Sequence, residues 1–136
     1  MRVNKKRFIY LISPNKIKKS FYTNLKIVLR SNLVSFFQLR LKKYSLIEKE
    51  KIGKKIKKIC KKYKVKLIVN DDPYLAKKIG ADGCHLGQKD MNILNSRKIL
   101  KNKIIGITCH NSISLAKKAI CLLYTSDAAD DTPCVD

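Results

Sequence analysis

The sequence predicts an α/β fold in which short buried strands alternate with helices and form a parallel sheet. Five short apolar runs recur between residues 8 and 107, and their near-continuous apolarity is typical of strands covered on both faces. Longer lysine-rich segments separate these runs, and two of those segments begin with helix-capping signals. Apolar residues make up 45 % of the chain, which is a globular composition and not a disordered one.

The predicted elements follow in order along the chain. We expect strands at residues 8–12, 34–39, 65–69, 83–86 and 104–107, and helices at residues 45–62, 73–79, 92–100 and 112–120. Ser45 and Glu48 have the spacing of a capping box at the first of these helices. The apolar stripe of that helix is predicted to consist of Leu46, Ile47, Ile52, Ile56 and Ile59. Asp72 and Pro73 suit the N-cap and the first position of the next helix.

The charge of the chain is strongly positive, with 31 Lys and Arg against 10 Asp and Glu and a formal net charge of +21. Proteins that bind nucleic acid or membrane surfaces share this property. The lysines are spread through the predicted helices, however, and aromatic residues make up only 7 %, without the aromatic–basic interleaving of a base-stacking surface. We therefore expect no nucleic-acid partner. No apolar stretch approaches the roughly 20 residues that span a bilayer, so we expect no membrane partner.

Cysteine usage predicts a reducing compartment. The five cysteines contain no C-x-x-C pair and match no zinc-binding spacing. The apolar run at residues 8–12 is too short for the core of a secretory signal. We expect reduced thiols and a cytoplasmic protein.

The last sixteen residues differ in composition from the rest of the chain. Residues 121–136 contain no Lys or Arg and four Asp, and residues 121–130 resemble the translated read-through of a sequencing adapter. We therefore expect residues 1–120 to form the folded part and residues 121–136 to be a non-native tail. A natural acidic tail is the alternative.

Four of the six acidic residues before position 121 lie within one twenty-residue window. Asp71 and Asp90 follow two neighbouring strands, at the end of the sheet where parallel α/β folds and barrels build their active sites. Two carboxylates at one rim suit Mg²⁺ with a phosphate-bearing ligand. We assign helix capping to Asp72, metal binding to Asp71 and Asp90, and a turn position to Asp82.

A polar pattern also closes the second strand. Strand alternation would place Gln38, Arg40 and Lys42 on one side, where a Gln, an Arg and a Lys could converge on a diphosphate. The alternative, which the pattern alone leaves open, is a strand that runs out into a basic solvated loop.

Several motifs together resemble one enzyme family. They are Tyr10-Leu-Ile-Ser13, Gln38-Leu-Arg-Leu-Lys42, Val69-Asn-Asp71, the stretch 80–90 and Ile105-Gly-Ile-Thr-Cys-His110, in this order. Over residues 7–120 the chain resembles the thiamine-phosphate synthases. The resemblance implies a truncated TIM (β/α)8 barrel with about five of its eight βα units. It also implies a transferase that condenses a pyrimidine diphosphate with a thiazole phosphate to give thiamine phosphate and diphosphate.

The resemblance also implies the roles of individual residues. Arg40 and Lys42 would be catalytic; Gln38, Arg40, Lys42, Asn70 and Thr108 would bind the pyrimidine substrate, and Asp71 and Asp90 would hold Mg²⁺. Thr108 stands where the family usually has a serine. His85 and His110 belong to the same motifs, and we expect His85 to be mainly structural.

Two other functions remain open. One is a thiazole tautomerase relative, which shares the fold but transfers no group, and the polar motifs at residues 38–42 and at Asp71 and Asp90 favour the synthase over it. The other is a basic binding module without enzymatic activity. Mg²⁺-dependent binding of the pyrimidine diphosphate would separate the enzyme from the module.

Overall fold

The computed structural model describes residues 8–87, 93–109 and 112–117. Its strands are β1 (Ile9–Ile12), β2 (Val34–Leu39), β3 (Lys66–Asn70), β4 (Gly83–Leu86) and β5 (Ile104–Ile107). Its helices are α1 (Lys19–Leu29), α2 (Leu46–Lys62), α3 (Pro73–Ile79) and α4 (Ile93–Leu100). The described residues contain no helix long and apolar enough to cross a membrane.

All five strands are parallel and form one sheet in the order β1-β2-β3-β4-β5. Because the spatial order equals the order in the chain, the sheet has no point at which the winding reverses, unlike a doubly wound fold. A helix follows each of the first four strands, which is the repeating βα unit of a barrel.

The hydrophobic core lies between the helices and one face of the sheet. Phe37, Leu67 and Cys84 point into it from three neighbouring strands, and Ile56 and Ala76 meet them from two helices; all five are fully buried. Side chains alternate along a strand, so the residues between the core positions line the opposite face of the sheet. That face carries the cavity described below.

The predicted strands are confirmed with shifts of at most one residue, and the two capping motifs are confirmed as well. Ser45 Oγ accepts from the Glu48 N–H at 3.2 Å, and Glu48 Oε2 accepts from the Ser45 N–H at 3.1 Å. The Asp72 carboxylate accepts from the Leu75 N–H at 3.1 Å. The helix expected at residues 112–120 is described only through residue 117, with residues 113–117 helical.

One helix was missed, and part of the buried stripe predicted for another was wrong. Helix α1 was not predicted, because no side chain caps its N-terminus and its first turn has no acid, although Phe21, Leu25 and Leu29 have helical spacing. In helix α2, Leu46 and Ile47 are 68 % and 70 % exposed and do not belong to the buried stripe. At about 100° per residue, Ile47 lies on the opposite side of the helix from the buried Ile56. Leu46 is the first residue of the helix, so its exposure comes from its place at the helix end. (Ile52 is half-buried and packs against the core, as predicted.)

The three cysteines in the described part of the chain have free thiols, as a reduced protein would have. Cys60 and Cys84 are free and buried, and Cys109 is free and half-buried. Burial raises the pKa of Cys60 to about 12. This thiol therefore stays protonated and unreactive at neutral pH.

Asp82 connects three elements at the amino ends of the strands, opposite the cavity. Its carboxylate accepts from the Leu67 N–H at 2.8 Å and from Lys57 Nζ at 3.1 Å, and its carbonyl accepts from the Ile104 N–H at 3.0 Å. Burial tends to raise the pKa of Asp82, but the bonds from Leu67 and Lys57 outweigh it and hold the pKa below its usual range. The predicted turn residue is thus also a cross-link between β3, β5 and α2.

We expect Asp82→Ala to lower the free energy of unfolding of the full-length protein by about 2 kcal/mol at pH 7, because the β3 amide and Lys57 lose a charged partner. Since the carboxyl has a depressed pKa in the folded state, its contribution is complete above the pKa of the unfolded chain and disappears as the pH falls through the folded value. Urea unfolding of wild type and variant between pH 7 and pH 3 measures this. A difference that stays constant down to pH 3 would contradict the assignment.

Candidate active site

A cavity of about 590 Å³ lies on the sheet face that the helices leave uncovered, and it extends to the carboxyl ends of the strands. Its volume is within the range of small-molecule sites. The lining combines apolar and polar side chains, which are Tyr10, Ile12, Phe36, Gln38, Arg40, Ile68, Asn70, Asp71, His85, Ile104 and Thr108, together with Gly87 and Gly106. Five of the seven predicted site residues therefore lie around one cavity: Gln38, Arg40, Asn70, Asp71 and Thr108.

Gln38 lies on β2 and is held in place from β1. Its side chain is 5 % exposed, and its Nε2 donates to Tyr10 Oη at 2.9 Å. The Tyr10 ring stacks on Phe36, with 5.6 Å between ring centroids. Sequence reasoning named Tyr10 only as the first residue of a motif and did not assign it to the site. The pairing of β1 with β2, in which Tyr10 lies opposite Phe36, brings it there.

Arg40 follows the last residue of β2, and its backbone is tied to the end of β1. The Arg40 N–H donates to Ser13 Oγ at 2.9 Å, and Ser13 is only 6 % exposed. The one hydroxyl proton of Ser13 has two acceptors within reach, the Pro14 carbonyl at 3.1 Å and the Arg40 carbonyl at 3.4 Å. Ser13 is a second residue that sequence reasoning did not assign to the site. The Arg40 side chain is exposed and lines the cavity.

Lys42 lies in the loop beyond Arg40. Its N–H donates to the Asn15 carbonyl at 3.3 Å, and its side chain is exposed and is not among the lining residues of the cavity. Because β2 ends at Leu39, strand alternation does not fix the direction of the Arg40 and Lys42 side chains. Of these two predicted residues, Arg40 lines the cavity and Lys42 does not, and strand alternation explains neither position.

The end of β3 presents an amide and a carboxylate side by side. Asn70 Nδ2 donates to Asp71 Oδ2 at 2.9 Å, and the Asp71 N–H donates to the His85 carbonyl at 2.8 Å. Asp71 has a φ of +70°, a left-handed conformation that Asp and Asn tolerate better than most other residues. This conformation turns the chain away from the strand and leaves the Asp71 side chain at the rim.

His85 on β4 and Thr108 after β5 form a third polar pair. His85 Nε2 lies 2.8 Å from Thr108 Oγ1, and both residues are half-buried. The Thr108 N–H donates to the Leu86 carbonyl at 2.9 Å, so the backbone of Thr108 is fixed to β4 as well. Three polar pairs therefore line the cavity, and they are Tyr10 with Gln38, Asn70 with Asp71, and His85 with Thr108.

Of the two predicted Mg²⁺ ligands, the described residues include one. Asp71 supplies a carboxylate, a hard oxygen ligand of the kind that Mg²⁺ takes from proteins together with water and substrate phosphate. Asp90, the second predicted ligand, lies outside the described residues, as does His110. Within the described ranges no three His, Cys, Asp or Glu residues cluster, so no closed metal site of protein ligands alone is present there.

Comparisons with known proteins agree with one another. The family described as thiamine monophosphate synthase matches residues 9–123. A thiamine-phosphate synthase of Pelagibacter ubique (strain HTCC1062) is 65 % identical over 133 residues, which cover 96 % of this chain and 62 % of that protein. One from Saccharophagus degradans is 42 % identical over 97 residues, covering 71 % of this chain and 44 % of that protein.

The structural comparison points to the same fold. A thiamine phosphate pyrophosphorylase from Pyrococcus furiosus superimposes with a TM-score of 0.65 and 29 % identity, over 76 % of this chain and 50 % of that one. The predicted fold class, a (β/α)8 barrel with about five of its units present, is thereby confirmed. The chain spans between about two fifths and two thirds of the length of these relatives. Because the family match ends at residue 123 and the Pelagibacter alignment reaches further, the boundary near residue 120 stays a prediction.

Proposed function

Because this chain belongs to the thiamine monophosphate synthase family, we propose that the protein carrying it joins a pyrimidine diphosphate to a thiazole phosphate, with thiamine phosphate and diphosphate as products. The observation that carries this proposal is the cavity at the strand ends, which gathers Gln38, Arg40, Asn70, Asp71 and Thr108. These residues offer an amide, a guanidinium and a carboxylate around an apolar floor. That combination suits a flat heterocycle with a diphosphate attached.

In this proposal the pyrimidine ring lies against the apolar floor formed by Tyr10, Phe36 and Ile68. Gln38 hydrogen-bonds the ring edge, and because Tyr10 already holds its amide, little side-chain freedom remains to be lost on binding. Thr108 contacts the ring from the other side of the cavity. This arrangement aligns the methylene carbon for attack and keeps water from capturing it.

The diphosphate would lie at the rim, against Arg40. The guanidinium offers a planar fork of donors to phosphate oxygens, and Lys42 in the following loop would add a second positive charge. As the bond to the methylene carbon breaks, negative charge grows on the diphosphate. Arg40 therefore binds the leaving group more strongly in the transition state than in the ground state, which is the condition for catalysis.

We assign Asp71 and Asp90 to Mg²⁺. When bound, the cation would neutralise part of the diphosphate charge and orient that group. Asn70 supports this assignment, because its amide donates to Asp71 Oδ2 and so orients the carboxylate.

The test is a synthesis assay on the full-length protein with both substrates and Mg²⁺. We expect thiamine phosphate and diphosphate in equal amounts. Absence of product, combined with salt-sensitive binding of DNA, would replace this proposal with the basic binding module.

We also propose that residues 1–136 alone are inactive and prone to aggregate. Tyr10, Ile12 and Ile104 on the cavity face are 45 %, 52 % and 41 % exposed, and β1 and β5 are both edge strands of the described sheet. Exposed apolar surface and unpaired strand edges promote association. Light scattering and the synthesis assay check this; a soluble, cooperatively melting and active fragment would refute it.

A further inference from the structure

We propose that His85 is a positioning residue that fixes the side chain of Thr108 for substrate binding. We also propose that the absence of a side chain at Gly106 leaves the space that the His85 ring occupies. This inference rests on the proposed function, since it assigns Thr108 to the pyrimidine site. It goes beyond the expectation that His85 is mainly structural.

The contact between the two side chains is close and crosses from one strand to the next. His85 lies on β4, and its Nε2 is 2.8 Å from Thr108 Oγ1, just beyond the end of β5. A threonine hydroxyl can donate or accept, so the bond forms with either tautomer of the imidazole. Both residues line the cavity, so the bond is part of its wall.

The bond determines where the hydroxyl and the methyl group of Thr108 lie. A threonine side chain has three staggered rotamers, and only the choice of χ1 distinguishes them. Because the Thr108 backbone is itself tied to the Leu86 carbonyl at 2.9 Å, fixing χ1 fixes the whole residue. A serine at this position would need the same bond for its hydroxyl but would place no methyl group.

Gly106 explains how the ring reaches this position. It lies opposite His85 in the pairing of β4 with β5, and a Cβ built at Gly106 would be 2.6 Å from His85 Nδ1. Any side chain there would therefore push the imidazole away. Since Gly106 does not have a positive φ, conformational freedom does not require a glycine here, whereas the space for the ring does.

The first test is a double-mutant cycle in the full-length protein, with calorimetric affinity for the pyrimidine diphosphate and kcat/KM as readouts. We expect His85→Ala and Thr108→Val each to lower both by roughly tenfold, the equivalent of one hydrogen bond. In the double variant the loss should remain near tenfold, because the two residues act through one contact. His85→Gln, whose amide nitrogen can reach the hydroxyl, should recover most of the loss.

The second test perturbs the ring without removing either partner. We expect Gly106→Ala to lower affinity by roughly tenfold in the wild type and by less than twofold in the His85→Ala background, where no ring is displaced. A structural role of His85 predicts a different pattern: losses that multiply to about a hundredfold, an equal effect of Gly106→Ala in both backgrounds, and no recovery by His85→Gln. Those results would overturn the inference.

Binding and synthesis assays on the wild type distinguish failure of this inference from failure of the proposed function. If it neither binds the pyrimidine diphosphate nor makes thiamine phosphate, both proposals fail. If it does both and the two cycles are additive, the proposed function stands and the positioning role of His85 fails. Melting temperatures of all variants within a few degrees of wild type exclude misfolding as the cause of the losses.

Discussion

Replacing Arg40 with alanine is expected to lower kcat/KM for the pyrimidine diphosphate by about 10²- to 10³-fold in the full-length protein. The guanidinium lines the cavity at its open rim, and the Ser13 hydroxyl fixes the backbone that carries it. In the proposed reaction negative charge develops on the departing diphosphate, so the loss should fall on the transition state. Steady-state kinetics with the thiazole phosphate saturating would measure this effect.

Two further variants separate the geometry of Arg40 from the net charge of the protein. Arg40→Lys keeps the charge but not the planar fork, and we expect a loss of intermediate size. Lys58→Ala removes one positive charge from an exposed position on α2, away from the cavity, and should stay within twofold of wild type. Equal losses for Lys58→Ala and Arg40→Ala would show that overall charge, and not this contact, governs the substrate.

Replacing Asp71 with asparagine is expected to lower the rate at 1 mM Mg²⁺ by about 10²-fold or more and to shift the Mg²⁺ dependence to much higher concentrations. Asparagine tolerates the φ of +70° at this position, so the variant removes the charge without straining the backbone. Rates measured over a range of Mg²⁺ concentrations give both quantities.

The neighbouring residue provides a matched control. Asp72→Asn also removes one negative charge, but asparagine is a good N-cap and can still accept from the Leu75 N–H of α3. We expect its Mg²⁺ dependence to match that of the wild type. The metal assignment fails if Asp71→Asn retains the wild-type Mg²⁺ dependence, or if both variants shift it equally.

Much of the fold followed from the sequence because its local signals agree with its tertiary structure. The capping box at Ser45 and the Asp72-Pro73 start each fixed a helix end, and the continuous apolar runs gave the strands. Helix α1 lacks such signals and is stabilised by packing of Leu25 and Leu29 into the core. Leu46 and Ile47 were assigned to the buried stripe of α2 because they are apolar, but both are exposed. An apolar residue need not be buried.

The residues of the site were predictable mainly where they follow a strand. Asn70 and Asp71 come directly after buried β3, so their place at the rim follows from the parallel sheet. Tyr10, Ser13 and the pairing of His85 with Thr108 depend on which strand lies beside which and in what register. Sequence spacing does not contain that information, so only the assembled sheet revealed them.

The affinity of the full-length protein for the pyrimidine diphosphate, measured in the absence of thiazole phosphate, tests the proposed half-site most directly. The residues assigned here, from Gln38 and Arg40 to Asp71 and Thr108, surround a single cavity, which we take to be the pyrimidine-diphosphate half of the active site. We expect saturable binding with Mg²⁺ present, and a large loss of affinity on chelation or in Asp71→Asn. Binding that requires the thiazole phosphate first, or that ignores both Mg²⁺ and Asp71, would contradict it.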